Sequence, residues 1–268
     1  MRKSVGKGGD MSIYLMKNTN CIEKLFENWQ ETLIWSCLQG CMGSAWADDD
    51  AIPKSAQIVV ADFCFFAGEP NVELALNKPV DYKSDFIIMV PQTPAWGELI
   101  EQVYMGRAKK ITRYAIKKEP DAFDVNYLTE IVCNLKEPFH VQMIDEDIYD
   151  QVMGSPWSQD LCSHFKDYED YKKRGIGAVV LADGTVVAGA SSYTVYQEGI
   201  EIEIDTREDY RRKGLALACG AKLILECLKK GLYPSWDAQN KGSVALAEKL
   251  GYHFDHEYTA YEVIGYGK

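Results

Sequence analysis

The residues best placed to do chemistry lie in Ile204–Ala216, IDTREDYRRKGLA. A strand pattern runs into a turn, then into Arg211-Arg212-Lys213-Gly214-Leu215-Ala216, then into a long amphipathic helix over Lys213–Lys230. This junction suits an anion. The first N–H groups of a helix lack intrahelical partners, and the helix dipole places partial positive charge there. Gly214 puts no Cβ between a phosphate and the backbone, and Ala216 is nearly as small. Arg211, Arg212 and Lys213 add full charges, and arginine grips phosphate oxygens bidentately. Basic residues normally favour helix C-termini, so this N-terminal cluster is electrostatically awkward unless an anion binds. A pyrophosphate fits such a cradle. The plain alternative is a basic turn that only caps the helix.

The strand just upstream, Gly199–Thr206, alternates strictly. Ile200, Ile202 and Ile204 fall on one face, and Glu201, Glu203 and Asp205 on the other. Crowded carboxylates raise at least one pKa and attract a cationic amine. Such a carboxylate serves as a general base, with Glu203 the first candidate and Glu201 the second. The plain alternative is a solvated edge face.

Elements on both sides must position these groups. Downstream, Tyr233–Trp236 reads as a short strand, Lys241–Leu250 as a helix ended by Gly251, and Glu257–Ile264 as a closing strand. Upstream, Gly177–Leu181 and Val186–Tyr196 are strands joined by Ala182-Asp183-Gly184, a hairpin signal. Phe139–Ile144 reads as a strand, and Asp145–Met153 and Gln159–Lys173 as helices. A meander followed by strand–helix–strand–helix–strand implies a mixed α/β fold with flanking helices. In the first part, Cys21–Gln39 carries a helical pattern, and Ala56–Ala67, Phe86–Val90 and Ile111–Ile116 read as strands. Trp96–Tyr104 and Val125–Leu135 read as helices. Trp29, Trp35 and Trp46 are expected in an N-terminal core. Glu137-Pro138 is the expected boundary, giving an N-terminal α/β domain over 1–136 and a second domain over 137–268. The first half mimics the second, which suggests a degenerate copy. Its Val90–Trp96, VPQTPAW, has no basic Gly-rich loop.

Composition narrows the classes. The 268 residues are 47% hydrophobic and 26% charged, as in a globular protein. A net charge of -11 argues against a nucleic-acid partner. No apolar run approaches the roughly 18 residues of a bilayer span, so no membrane partner is expected. The first residues lack the apolar segment of a signal peptide, and the stretch before Met11 reads as a tag or alternative start. The 8 cysteines form no CxxC pair, which fits structural thiols in a reducing cytoplasm. His140, His164, His253 and His256 are scattered, so no metal is expected. There is no GxSxG elbow, and Gly6, Gly8 and Gly9 follow no strand, so a serine hydrolase and a dinucleotide loop find no support.

Arg211-x-x-Gly214-x-Ala216 resembles the acyl-CoA pyrophosphate loop of the GNAT superfamily of N-acetyltransferases. Gly199–Thr206 sits where that family's fourth strand stands, and Asp237–Tyr252, DAQNKGSVALAEKLGY, is similar to its later motif. Together GIEIEID, YRRKGLA and YPSWDAQN…LAEKLGY resemble the zwittermicin A resistance subgroup. The resemblance implies a GNAT-like fold in the C-terminal half and transfer of an acetyl group from acetyl-CoA to a small-molecule amine. It implies that Ile204, Asp205 and Thr206 hold the pantetheine arm by backbone bonds. Arg211, Arg212, Lys213, Gly214, Leu215 and Ala216 then cradle the pyrophosphate, and Asn240 and Ser243 contact the CoA arm. Strands splayed beyond residue 206 admit the thioester.

One departure stands out. Many family members carry a tyrosine, the acid to the leaving thiolate, where this chain has Ala247. Tyr252, Ser243, Tyr196 or solvent then takes that role. Ser191-Ser192-Tyr193 and Tyr196 either line the acceptor pocket or serve as strand residues. The expectation is an N-acetyltransferase acting as a monomer or homodimer. Its rivals are a catalytically weak CoA-binding sensor or scaffold and an interaction module binding another phosphate ligand.

Overall fold

Apolar periodicity decides most of the element order, and turn residues decide where it breaks. The computed structural model describes residues 12–268. The basic opening residues, the boundary at Met11 and the glycines at 6, 8 and 9 lie outside that range.

In chain order the protein forms β1 (Tyr14–Leu15), α1 (Asn20–Glu23), α2 (Thr32–Leu38), β2 (Ser44–Ala47), β3 (Ser55–Val60) and β4 (Phe63–Gly68). Next come α3 (Val72–Leu76), β5 (Phe86–Pro91), α4 (Pro94–Val103), β6 (Ala108–Ile116) and α5 (Val125–Cys133). There follow β7 (Phe139–Met143), α6 (Glu146–Met153), α7 (Tyr168–Arg174), β8 (Gly177–Ala182), β9 (Thr185–Tyr196) and β10 (Gly199–Thr206). The chain closes with α8 (Leu215–Lys229), β11 (Tyr233–Ser235), β12 (Asp237–Ala238), α9 (Lys241–Lys249) and β13 (Phe254–Ile264).

Some expected elements are divided. The 56–67 segment is a hairpin, because Ala61 turns the chain at φ 52° and β3 pairs back on β4. The 21–39 segment breaks at Asn28, where φ is 66°, and restarts at Glu31. Glu31 caps α2 by accepting the Leu33 N–H at 3.3 Å.

The compact units are interleaved along the chain. One holds the described residues up to Gln30, Gly43–Ile111 and Ala260–Lys268; the other holds Glu31–Met42 and Thr112–Thr259. A single cut at 136/137 does not match this division, and packing explains why. Ile116 and Leu128 lie upstream of that cut, yet share a core with Val179, Leu223 and Tyr252. Tyr261, Val263 and Tyr266 lie far downstream, yet pack with Phe66, Met89 and Trp96.

In the first unit β1, β2, β3 and β4 pair antiparallel in sequence order. The α3 crossover then brings β5 parallel to β4. Tyr261–Ile264 of β13 pair antiparallel with β5. Phe66 and Trp96 stack in its core at 4.8 Å. In the second unit β7, β8, β9 and β10 pair antiparallel. The α8 crossover then brings β11 parallel to β10.

Both units therefore carry a meander followed by a helical crossover to a parallel strand. In the first unit the turn that corresponds to 211–216 is Gly68–Asn71, GEPN, and not 90–96. That turn carries no basic residue. Its helix has only 5 residues and is capped by the Asn71 side chain itself.

The two faces of β10 are covered differently. Ile200 and Ile202 share a core with Leu215, Ala218, Cys219 and Leu223 of α8. Burying each such aliphatic side chain is worth about 1.5–3 kcal/mol. On the carboxylate face lies α2, where Ser36 Oγ donates to the Val195 carbonyl at 2.6 Å and Thr32 donates to Glu201.

Candidate active site

The basic turn is shaped as an anion cradle. Arg212 at φ 63° and Gly214 at φ 79° are left-handed, and Gly214 caps α8 with no side-chain bond. The first intrahelical bond runs from the Ala218 N–H to the Gly214 carbonyl at 3.2 Å. The N–H groups of Leu215, Ala216 and Leu217 precede it, so helix geometry aims them outward. A Cβ on Gly214 would meet nothing within 4 Å, so the space in front is open. Arg211, Arg212 and Lys213 are exposed, while Leu215 is buried by its side chain and offers only backbone.

The turn is held in shape locally. Arg211 Nε donates to the Thr206 carbonyl at 3.2 Å. Arg207 and Lys213 each lie 4.5 Å from the centre of the Tyr210 ring. Arg207 also pairs with Asp209 at 2.8 Å. These features fit a pyrophosphate: open backbone donors, a dipole end and exposed cations at its rim.

The sheet opens beside this cradle. The β10–β11 pairing runs only from Gly199 opposite Tyr233 to Glu201 opposite Ser235. Beyond Ser235 the chain turns to β12, which pairs with Tyr114 and Ala115 of β6. The opening thus starts after Glu201, earlier than the expected position beyond 206. On the other side β9 carries one extra residue, Tyr193, between the partners of Glu201 and Ile202. Ile204, Asp205 and Thr206 follow the opening and are half-buried. Asp205 accepts the Thr206 N–H at 2.6 Å, and burial raises its carboxyl pKa against the pull of Arg211.

Glu201 stands where the pairing ends. It is 4% exposed, and its Oε2 accepts from the Thr32 hydroxyl. Its Oε1 forms no well-aligned hydrogen bond, and neither do Thr194 Oγ1 and Ser235 Oγ, its register neighbours on either side, although the Ser235 hydroxyl is close enough to help hold the Glu201 carboxyl down. Burial pushes the Glu201 carboxyl up, while Lys118 and Thr32 hold it back. Glu203 is half-buried further along the strand.

A second carboxylate shares this environment. Burial and the neighbouring Glu201 raise Glu31 to about 8, opposed by Lys118. Asp237 completes the group. It takes Arg113 at 2.6 Å and the Tyr258 hydroxyl at 2.8 Å, both of which oppose the rise caused by its burial. Glu31, Asp237, Lys118 and Arg113 escape a reading of the sequence, because no local motif links them. The one available signal is Glu31 just before the apolar run of α2, a capping position.

An open cavity of about 390 Å³ lies in the same unit, lined by Trp35, Gln39, Lys118, Pro120, Tyr196, Glu198 and Tyr233. Trp35 therefore belongs here and not to the N-terminal core. Its ring meets Tyr196 edge-on at 5.8 Å.

Other expected site residues have structural partners. Tyr252 is 2% exposed, and its hydroxyl donates to the Pro234 carbonyl at 2.6 Å. Asn240 caps α9 by accepting the Ser243 N–H at 3.0 Å, which places both residues at a helix start. Ala247 is fully buried. Ser191 bonds Tyr171 at 2.8 Å, and Ser192 accepts the Ile176 N–H at 3.0 Å, so both serve the core. His253 pairs with Glu119 at 2.7 Å. Among the described residues no group of His, Cys, Asp and Glu is arranged to hold a metal ion.

Comparison with known proteins decides the family. The GNAT acetyltransferase family matches residues 23–261. The chain belongs to the GNAT acetyltransferase family. It is an acyltransferase. The match spans both units, in keeping with the repeated topology. An uncharacterized N-acetyltransferase, YdfB of Bacillus subtilis (strain 168), is 25% identical over 91% of this chain and 95% of its own. A GCN5-related N-acetyltransferase-like protein from Streptococcus suis 89/1591 is 46% identical, with a TM-score of 0.86 over 92% of this chain and 98% of its own. A tandem GNAT protein from the clavulanic acid biosynthesis pathway shares the fold at 9% identity and TM-score 0.51, over 95% and 99% of the two chains. Among the described residues, no helix of this GNAT protein is long and apolar enough to cross a membrane.

Proposed function

We propose that this GNAT protein transfers an acetyl group from acetyl-CoA to a primary amine of a small molecule. One observation carries the reading. The sheet opens at Glu201, a buried carboxylate with one unpartnered oxygen, on the strand that leads into the anion cradle.

The donor supplies an acyl carbon open to attack and a thiolate that leaves without a dedicated acid. The N–H groups of Leu215, Ala216 and Leu217, with Arg211, Arg212 and Lys213, bind its pyrophosphate. The backbone of Ile204–Thr206, free of β11, holds the pantetheine arm. Asn240 and Ser243 flank the arm from the start of α9.

Glu201 receives the proton that the acceptor ammonium must lose before attack. Its burial raises its pKa above the ordinary carboxylate range, which strengthens it as a proton acceptor. Thr32 orients it through Oε2 and leaves Oε1 for the amine. Glu203, favoured by sequence, lies in a more exposed part of the strand. Tyr252 has its hydroxyl committed to Pro234, so solvent is the better proton source for the thiolate.

Trp35, Tyr196 and Tyr233 line the cavity beside Glu198 and Lys118, which suits an amine with an apolar body. Resemblance to the zwittermicin A resistance subgroup points to an aminated natural product. The buried free thiols at Cys37, Cys64, Cys162, Cys219 and Cys227 suit a reducing compartment.

A second reading, a CoA-binding sensor with little turnover, rests on Ala247 at the usual tyrosine position. Thiol release from acetyl-CoA across a panel of primary amines separates the two. Amine-dependent release supports the transferase. Tight acetyl-CoA binding with no release across the panel favours the sensor.

A further inference from the structure

We infer that Lys118 is itself an acceptor, acetylated by the active site of the same molecule; the inference rests on the acetyltransferase reading above. Lys118 lines the cavity of the unit that also holds Glu201 and the anion cradle. Its backbone is held on both sides: the Tyr233 hydroxyl donates to the Lys117 carbonyl at 3.2 Å and accepts the Glu119 N–H at 3.0 Å. The Lys117 N–H also donates to the His253 carbonyl at 2.9 Å. Tyr233 is the first residue of the short β10–β11 pairing that ends at Glu201 and Ser235.

The side chain of Lys118 lines the cavity, with Nζ 5.8 Å from the centre of the Trp35 ring. Trp35 lies one helical turn beyond Glu31 on α2. The Lys118 charge acts on Glu31, Glu201 and Asp237 together. Lys118 is thus a primary amine within the field of the proposed base. Lys117, its neighbour, is exposed.

The step balances as an ordinary acyl transfer. The Nζ ammonium gives one proton to Glu201, and the freed lone pair forms the C–N bond. The C–S bond breaks with its electron pair leaving on the CoA sulfur. Nitrogen loses its second proton as the amide forms; the thiolate takes up one proton, and the other passes to solvent. The product has no positive charge beside Glu31, Glu201 and Asp237. Its longer side chain occupies part of the cavity that Lys118 lines.

The test needs no knowledge of the small-molecule acceptor. The full chain is incubated with acetyl-CoA alone at several protein concentrations, and its peptides are analysed by mass spectrometry. The expected result is one acetyl group on Lys118, gained at a rate per molecule independent of protein concentration. Glu201→Gln should slow the gain at least about tenfold. Glu201→Asp, which keeps the charge but shortens the reach, should slow it too. Lys118→Arg should remove the modified peptide. Thermal melts of each variant confirm folding.

An unmodified Lys118 overturns the inference, as does a rate unchanged in folded Glu201→Gln or rising with protein concentration. Acetyl-CoA titration and the amine panel run alongside. Binding and turnover with Lys118 unmodified leave the proposed function standing and overturn this inference alone. No acetyl-CoA binding overturns both.

Discussion

Thr32 and Glu201 lie 169 residues apart in the chain, and the Thr32 hydroxyl donates to Glu201 Oε2. The bond ties the first turn of α2 to the point where β10 loses β11. It stabilises the charged form of a carboxylate that burial otherwise disfavours. Thr32→Val should cost about 1.5–3 kcal/mol, the worth of a hydrogen bond to a charged group. It should also raise the Glu201 pKa further. The acid limb of the kcat/KM profile then moves to higher pH, which a pH–rate series in wild type and variant would show.

Glu201→Gln removes the base but keeps the shape. kcat/KM for an active amine should fall by about 10²–10⁴. Acetyl-CoA affinity should be unchanged, because the pyrophosphate cradle lies further along the chain. Glu203→Gln should lower kcat/KM less. Steady-state kinetics of the two variants, with acetyl-CoA titrations beside them, decide between the carboxylates.

How much of this was legible in the sequence follows from the range of each signal. The cradle at 211–216 and the alternation of β10 are local, and the turn and helix start stand where residue types place them. The hairpin at 182–184 is local too, with Asp183 and Gly184 both at positive φ. Glu31 and Asp237 are different. Each becomes part of the site only when α2 and β12 are brought beside β10 and β6, and no spacing rule connects them. Alternation also could not show that β11 ends opposite Glu201, because pairing partners are not written in a strand's own pattern. The turn within 56–67 was hidden for another reason: Ala61 is not a residue type that signals left-handed backbone.

Glu31 gives the stability a pH dependence. Its folded pKa of about 8 stands above its ordinary value of 4.5, so the folded state binds more protons than the unfolded state between those limits. Stability from this group is complete below pH 4.5 and is lost as pH rises toward 8. Glu31→Gln should therefore raise the melting temperature more at pH 8.5 than at pH 5, relative to wild type, on the order of the linkage effect. Melts at several pH values check the sign.

Arg113 is the buried partner of Asp237, with side-chain exposures of 9% and 11%. Arg113→Met leaves Asp237 beside two other carboxylates, with Lys118 and Tyr258 still offsetting it in part. The loss should be about 3–5 kcal/mol, as for other buried pairs broken on one side. Denaturant unfolding measures it. A loss that shrinks at low pH, where Asp237 takes a proton, would confirm the electrostatic cause.

Gly214 joins backbone strain to ligand access. At φ 79° any residue with a Cβ is strained, by about 1–2 kcal/mol. The space in front is open, so Gly214→Val should fold with reduced stability while placing methyl groups before the α8 N-terminus. Acetyl-CoA affinity should fall more than stability does, which thermal melts with and without acetyl-CoA would separate.

The central claim is that the turn at 211–216 binds the donor. Calorimetric titration of acetyl-CoA into the wild type and into the Arg211→Ala, Gly214→Glu double variant tests it most directly. The account predicts saturable binding by the wild type and its loss in a folded double variant. No binding by folded wild type, or equal binding by both proteins, would contradict it.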